Sequence, residues 1–230
     1  MGYTISYVLE KPSKASVTPL SIDVFSDVVC PWCFIGSRRL SQALSTLGDK
    51  VEAKVVYHPF LLDPTTPPEG RDLREHLQGK FGRDPVRIFG TVEAAAQSSG
   101  IPLDFTKVLR YSNTLGAHTL IRHALTKGTQ LPLVGALFSA YFLESRDVGN
   151  PDVLVDIAAK HGFAAEEARA LLTHESELAQ TSHEAEQALA MGIRGVPFFI
   201  FAKRVAFSGA HPPETFVSAI EKALEENAGG

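Results

Sequence analysis

Residues 1–19 show no sustained hydrophobic period; they are polar, carry Pro12 and Pro19, and read as a flexible leader. Alternation begins at Ser21-Ile22-Asp23-Val24-Phe25, which is β-branched or aromatic at three positions and predicts a strand. The spacing then becomes helical from Pro31 to about Leu47. Leu40, Ala43, Leu44 and Leu47 recur three and four apart, and Gly48 follows as a C′ residue. Val51 to Phe60 predicts a second strand, broken by Pro59 and closed by the proline-rich run from Asp63 to Pro68. The pattern is β–α–β, with Cys30 at the end of the first strand.

From about Glu69 to His174 the pattern is helical. Asn113 is placed to cap a helix over Leu115–Lys127, and Pro132 opens a second through Glu144. Asn150-Pro151 pairs an N-cap with proline at the first helical position and opens a third to about Lys160. Ala164–Leu172 predicts a shorter one, and Glu175–Met191 a long connecting helix ending near Gly192. Pro197–Phe201 and Val205–Phe207 read as short strands joined at Ala202-Lys203-Arg204. Phe216, Ile220 and Leu224 then mark a closing amphipathic helix over Pro213–Leu224. The order is β–α–β, a helical insertion, then α–β–β–α.

Composition adds limits rather than identity. Of 230 residues 44% are hydrophobic and 21% charged, an ordinary balance for a globular chain. A net charge of −4 without runs of like charge argues against nucleic acid or an anionic membrane as the main partner. No apolar stretch reaches bilayer length, and no signal-peptide pattern opens the chain, so a cytoplasmic setting is expected. Met1–Ser6 fits the loose myristoylation pattern, which by itself anchors a chain only marginally. The oligomeric state is not legible.

The two cysteines change the picture. They form Cys30-Pro31-Trp32-Cys33. A bridge closing so short a loop removes little unfolded-state entropy, so the pair makes a poor staple and is better read as chemistry. Cys30 falls at the N-cap of the predicted helix, where free N–H groups and the positive end of the dipole favour a thiolate. Pro31 takes the first helical position, where its missing donor is harmless. Cys33 lies one turn in, placed to attack a mixed disulfide at Cys30. Cys30 is therefore expected to be the exposed nucleophile and Cys33 the shielded resolving thiol. Trp32, the one tryptophan, is expected to shield the thiolate and touch substrate. Either Asp23 or Asp27 could be a buried acid serving Cys33.

A structural zinc wants four ligands, and the motif offers two. His118 and His123 have a spacing seen in zinc proteins, but five residues on one helix turn the second about 140° from the first. No metal site is expected.

Gly195-Val196-Pro197-Phe198-Phe199 places a proline at the start of a strand, where it need not donate to the ladder. Strand–Cys-Pro-Trp-Cys–helix, a helical insertion and then Gly-Val-Pro-Phe-Phe before a hairpin and helix resemble the DsbA family of thioredoxin-fold proteins. Asp27–Gly36, His58–Leu62, Asn113-Thr114 and Gly195–Phe199 resemble its FrnE-like branch, and the likeness runs from about residue 20 to 225. The resemblance implies a thioredoxin-like α/β fold over 20–64 and 175–230, with an α-helical insertion domain over 65–174. It also implies a cis Pro197 facing the cysteines, with Val196 offering backbone groups to substrate. Asn113 and His58 are candidate substrate contacts, weighed against the plainer roles of helix cap and packed histidine.

The implied activity is thiol–disulfide exchange with protein or small-molecule partners, glutathione among them, and no resident cofactor. Relatives of the isomerase and kappa-class glutathione transferase type carry serine where this chain has Cys30, and form one alternative. A redox-independent peptide-binding holdase is another. No cysteine follows Cys33, so a mechanism with a second dithiol is excluded.

Overall fold

The computed structural model describes residues 18–82 and 85–228. The Met1–Ser6 pattern and most of the leader lie outside these, while Thr18 and Pro19 already belong to the first strand. That strand, β1 (Thr18–Ser26), leads into α1 (Pro31–Leu47) and β2 (Val51–Pro59). Pro59 does not break β2; it ends it, beside Ser26 of β1, where a missing donor is tolerated. Helices α2 (Leu73–Phe81), α3 (Val86–Ser98), α4 (Leu115–Thr126), α5 (Gln130–Phe142), α6 (Pro151–Ala159) and α7 (Ala165–Thr173) follow. Then α8 (Glu175–Ala190), β5 (Phe198–Phe201), β6 (Val205–Ser208) and α9 (Pro213–Ala228) complete the chain.

Within the insertion, Arg71-Asp72 (β3) pairs antiparallel with Arg110-Tyr111 (β4). Two residues show no alternation, so hydrophobic pattern could not reveal this ribbon.

The main sheet has the order β2-β1-β5-β6, with β1 parallel to β2 and antiparallel to β5. One face buries Ile22, Val24, Phe199 and Phe201. The ring of Phe216 from α9 stands edge-on to Phe199 at 4.8 Å and to Phe207 at 5.0 Å. The other face carries Asp23, Phe25 and His58 toward α4 and α8. Strand β2 is a sheet edge, and its central peptide groups would be orphans. Gln130, buried at the start of α5, accepts from the Tyr57 N–H at 2.9 Å and donates to the Tyr57 carbonyl at 3.0 Å. A side-chain amide thus stands in for a neighbouring strand and ties the insertion to the sheet.

Candidate active site

Strand β1 ends at Ser26, and the turn Asp27-Val28-Val29 presents Cys30 as the N-cap of α1 in extended conformation. The Cys30 N–H donates to the Asp27 carbonyl at 3.0 Å, and the Cys30 carbonyl accepts from Cys33 N–H at 3.0 Å. No side chain caps this helix end, so the Cys30 sulfur lies at an N-terminus whose donors it does not use for capping. The Cys30 thiol reaches instead toward the Val196 carbonyl at 3.7 Å. The Val196–Pro197 peptide is cis. The Pro197 carbonyl accepts from Gly209 N–H at 2.8 Å, which fixes this segment to the end of β6.

Gly36 of α1 makes the close approach possible. A Cβ there would stand 3.1 Å from both Pro197 Cγ and Phe199 Cζ. The helix bearing the cysteines can lie against the Val196–Pro197 segment because this position has no side chain.

Both thiols are buried, Cys30 at 4% and Cys33 at 2% exposure. The exposed Cys30 expected from its place at a helix end is therefore corrected. Helix position fixes only the backbone, whereas half-buried Trp32 and Val196 pack on the cluster that holds both sulfurs.

The thiols nonetheless differ. Burial pushes the Cys33 thiol well above its ordinary range, and the hydrogen bond and charge of Cys30 push it the same way. The Asp27 backbone and the Ser26 side chain act in the opposite sense. Burial thus holds Cys33 as a thiol. Brief alkylation of the reduced protein at about pH 7 is expected to label Cys30 and spare Cys33, as mass spectrometry of the peptides would show. Predominant label on Cys33 would reverse the assignment.

Of the two acids, only Asp27 meets the cysteines, and it does so through its backbone. It is 1% exposed, its carboxylate accepting from Leu62 N–H at 2.8 Å and facing His118 Nε2 at 3.4 Å. Asp23 points to the other face, where it pairs with His58 Nε2 at 2.8 Å. His58 also stacks on Phe25 at 4.9 Å and lines a cleft of about 790 Å³ whose walls include Ile121, Leu125 and Met191 but neither cysteine. His58 is therefore not brought to the thiols. Asn113 donates to the Thr66 carbonyl at 2.7 Å and accepts from Leu115 N–H at 3.0 Å, so its amide is spent on holding the start of α4. The two histidines weighed as metal ligands part: His118 meets Asp27, and His123 meets Glu177 at 2.8 Å. Phe34 is only half-buried and stacks on Phe138 of α5 at 5.2 Å, joining α1 to the insertion.

Nothing in the sequence marks Ser26, Gly36 and His118 as neighbours of the cysteine pair. His118 carries at most a faint signal, lying with Thr119 between Ala117 and the apolar pair Leu120-Ile121.

The Bacillus subtilis protein YwbO, itself uncharacterized, is 27% identical over 206 residues, covering 86% of this chain and 94% of its own length. A probable DsbA oxidoreductase from Streptomyces coelicolor is 28% identical and superposes with a TM-score of 0.83, over 90% of this chain and 91% of that one. The cytosolic disulfide reductase DsbM of Pseudomonas aeruginosa, solved with GSH, shares the fold at 16% identity and a TM-score of 0.63, over 89% of this chain and 99% of its own. Among the described residues no helix is long and apolar enough to cross a membrane. Residues 21–221 match the model of the DSBA-like thioredoxin domain, and the chain belongs to that family.

Proposed function

We propose that this protein is a thiol–disulfide oxidoreductase that cycles Cys30 and Cys33 through a mixed disulfide at Cys30. The observation that carries the reading is the asymmetric pair: one thiol at an uncapped helix N-terminus against the Val196 carbonyl, the other one turn deeper and held protonated by burial. The Cys30 thiolate attacks a substrate disulfide, and Cys33 then attacks Cys30 and expels the substrate thiol. The reverse sequence oxidises a dithiol, and the direction follows the partner's potential, about 30 mV being worth roughly 1.4 kcal/mol. The Val196 carbonyl and Pro197 form the wall along which substrate backbone would lie. Pro31 and Trp32 shape the first turn around the nucleophile.

Thiols and disulfides are the partners, of proteins or of small molecules. Glutathione would serve as a redox partner rather than a resident cofactor, in line with the bound GSH of the similarly folded DsbM. The second cysteine favours exchange over conjugation, since Cys33 would expel glutathione from any adduct at Cys30. The test is trapping. Cys33→Ser mixed with glutathione disulfide should accumulate a stable Cys30–glutathione adduct by intact mass, whereas the wild type should pass through it to the internal disulfide. No adduct in Cys33→Ser, or one at equal occupancy in both, would remove the proposed division of labour.

A further inference from the structure

The Asp27 and His118 side chains are 1% and 3% exposed and meet in the interior, Oδ1 facing Nε2 at 3.4 Å, yet the exchange cycle gives neither a task. A carboxylate so far from water is unfavourable unless donors surround it. Each oxygen of Asp27 has one. Leu62 N–H, from the segment leaving β2, serves Oδ2 at 2.8 Å, and His118, in the first turn of α4, serves Oδ1. The His118 contact is the one that comes from the insertion.

The backbone of the same aspartate holds the redox pair. Its carbonyl accepts from Cys30 N–H at 3.0 Å, and its main chain also meets the Cys33 sulfur. A tilt of Asp27 would therefore shift the two sulfurs relative to each other. His118 is itself firmly mounted. Its N–H donates to the Thr114 carbonyl at 3.0 Å, and Asn113 ties the start of α4 to the Thr66 carbonyl. The neighbouring Thr119 hydroxyl meets that of Thr181 on α8 at 2.9 Å. A continuous line of contacts thus runs from α4 through His118 and Asp27 to the cysteines.

We propose that His118 is a positioning residue for the resolving step: by holding the Asp27 carboxylate, it fixes the turn that aligns Cys33 with the Cys30 sulfur. The inference rests on the redox reading above and deepens it. In that step the Cys33 sulfur gives its proton to solvent and bonds to the Cys30 sulfur. The bond from Cys30 to the glutathione sulfur breaks, and its electron pair leaves with glutathione as a thiolate. Over the whole cycle the cysteine pair loses two electrons and glutathione disulfide gains them. His118 touches none of the reacting atoms. Its effect is geometric, since intramolecular attack depends steeply on alignment and a misplacement of about 1 Å can slow it a hundred-fold. The first attack joins Cys30 to a partner that arrives from solution and adjusts its own approach. Loss of His118 should slow resolution and spare that first attack.

The test compares His118→Leu, which removes the donor, with His118→Gln, whose amide nitrogen reaches the place of Nε2. Each reduced protein is mixed with glutathione disulfide, quenched in acid at intervals and read by intact mass. His118→Leu should resolve the Cys30–glutathione adduct about ten-fold more slowly than the wild type, while forming it at a rate within about two-fold. The adduct should then accumulate. His118→Gln should resolve it within about three-fold of the wild type, because the hydrogen bond is restored. Equal slowing of both steps, a wild-type balance of the two in His118→Leu, or a His118→Gln as slow as His118→Leu would each overturn the proposal. Should His118→Leu not fold, His118→Asn takes its place. Its amide is one methylene too short to reach Asp27, and equal resolution in the Asn and Gln variants would overturn the proposal. A wild type that glutathione disulfide does not oxidise would sink the redox reading and this inference with it. A wild type that cycles, with His118 variants that cycle alike, would sink this inference alone.

Discussion

Cys30→Ser should lower thiol–disulfide exchange by at least about a thousand-fold, to the background of the uncatalysed reaction, because removing a nucleophile removes the step it performs. A serine hydroxyl at the same N-cap has the same helix donors around it but is not ionised near neutral pH and forms no disulfide. Serine is also an accepted N-cap residue, so the helix start should survive and stability should shift by less than about 1 kcal/mol. The measurement is the initial rate of glutathione-driven insulin reduction, read beside the thermal midpoint. Residual activity within ten-fold of the wild type, on a folded variant, would mean that Cys30 is not the nucleophile. Retained glutathione conjugation in the same variant would favour the transferase-type alternative, in which a hydroxyl suffices to orient a bound thiol.

Phe216→Ala should be the most damaging single truncation in the sheet core, at about 3–5 kcal/mol. Phe216 is fully buried, and its ring stands against Phe199, Phe207 and Phe201, so deletion opens a cavity walled by three other rings. Those rings sit on the two-strand hairpin and cannot all close inward without breaking its pairing with β1. For a chain of this size the loss corresponds to a fall of roughly 10 °C or more in Tm. Phe199 also lies against the Gly36 position that admits Pro197 to α1, so the redox site should loosen with the core. Chemical denaturation gives the free energy directly. A loss below about 1 kcal/mol would show that α9 can settle onto the sheet and fill the gap.

The legible part of this fold is the part encoded by local signals. Pro31 at the start of α1, Gly48 at its end and Asn150-Pro151 opening α6 mark helix limits that the structure reproduces closely. Each is a backbone preference that acts over one turn and needs no tertiary partner. Cys30 and Cys33 could be placed at one helix end for the same reason, since their separation and the adjoining strand suffice. Asn113 was legible as a helix-start residue because an Asx turn is likewise local; its amide accepts from Leu115 N–H two residues on.

What distance in sequence separates, only packing could decide. Nothing in β1 says whether Asp23 or Asp27 belongs beside the thiols. The strand period sends Asp23 to the face that meets His58, whereas the turn after Ser26 directs Asp27 inward to Leu62 and His118. The burial of Cys30 escapes the sequence for a related reason. A helix N-terminus specifies which donors surround a sulfur, but solvent access depends on Trp32 and on Val196, which lies 166 residues downstream. Gln130 at the edge of β2, and the unpartnered hydroxyl of Tyr111 under the His76 ring, have no pattern to announce them. Periodicity reports which residues turn away from water; it carries no information about which two buried polar groups will meet, or about the one left unmatched, because that is fixed by long-range geometry.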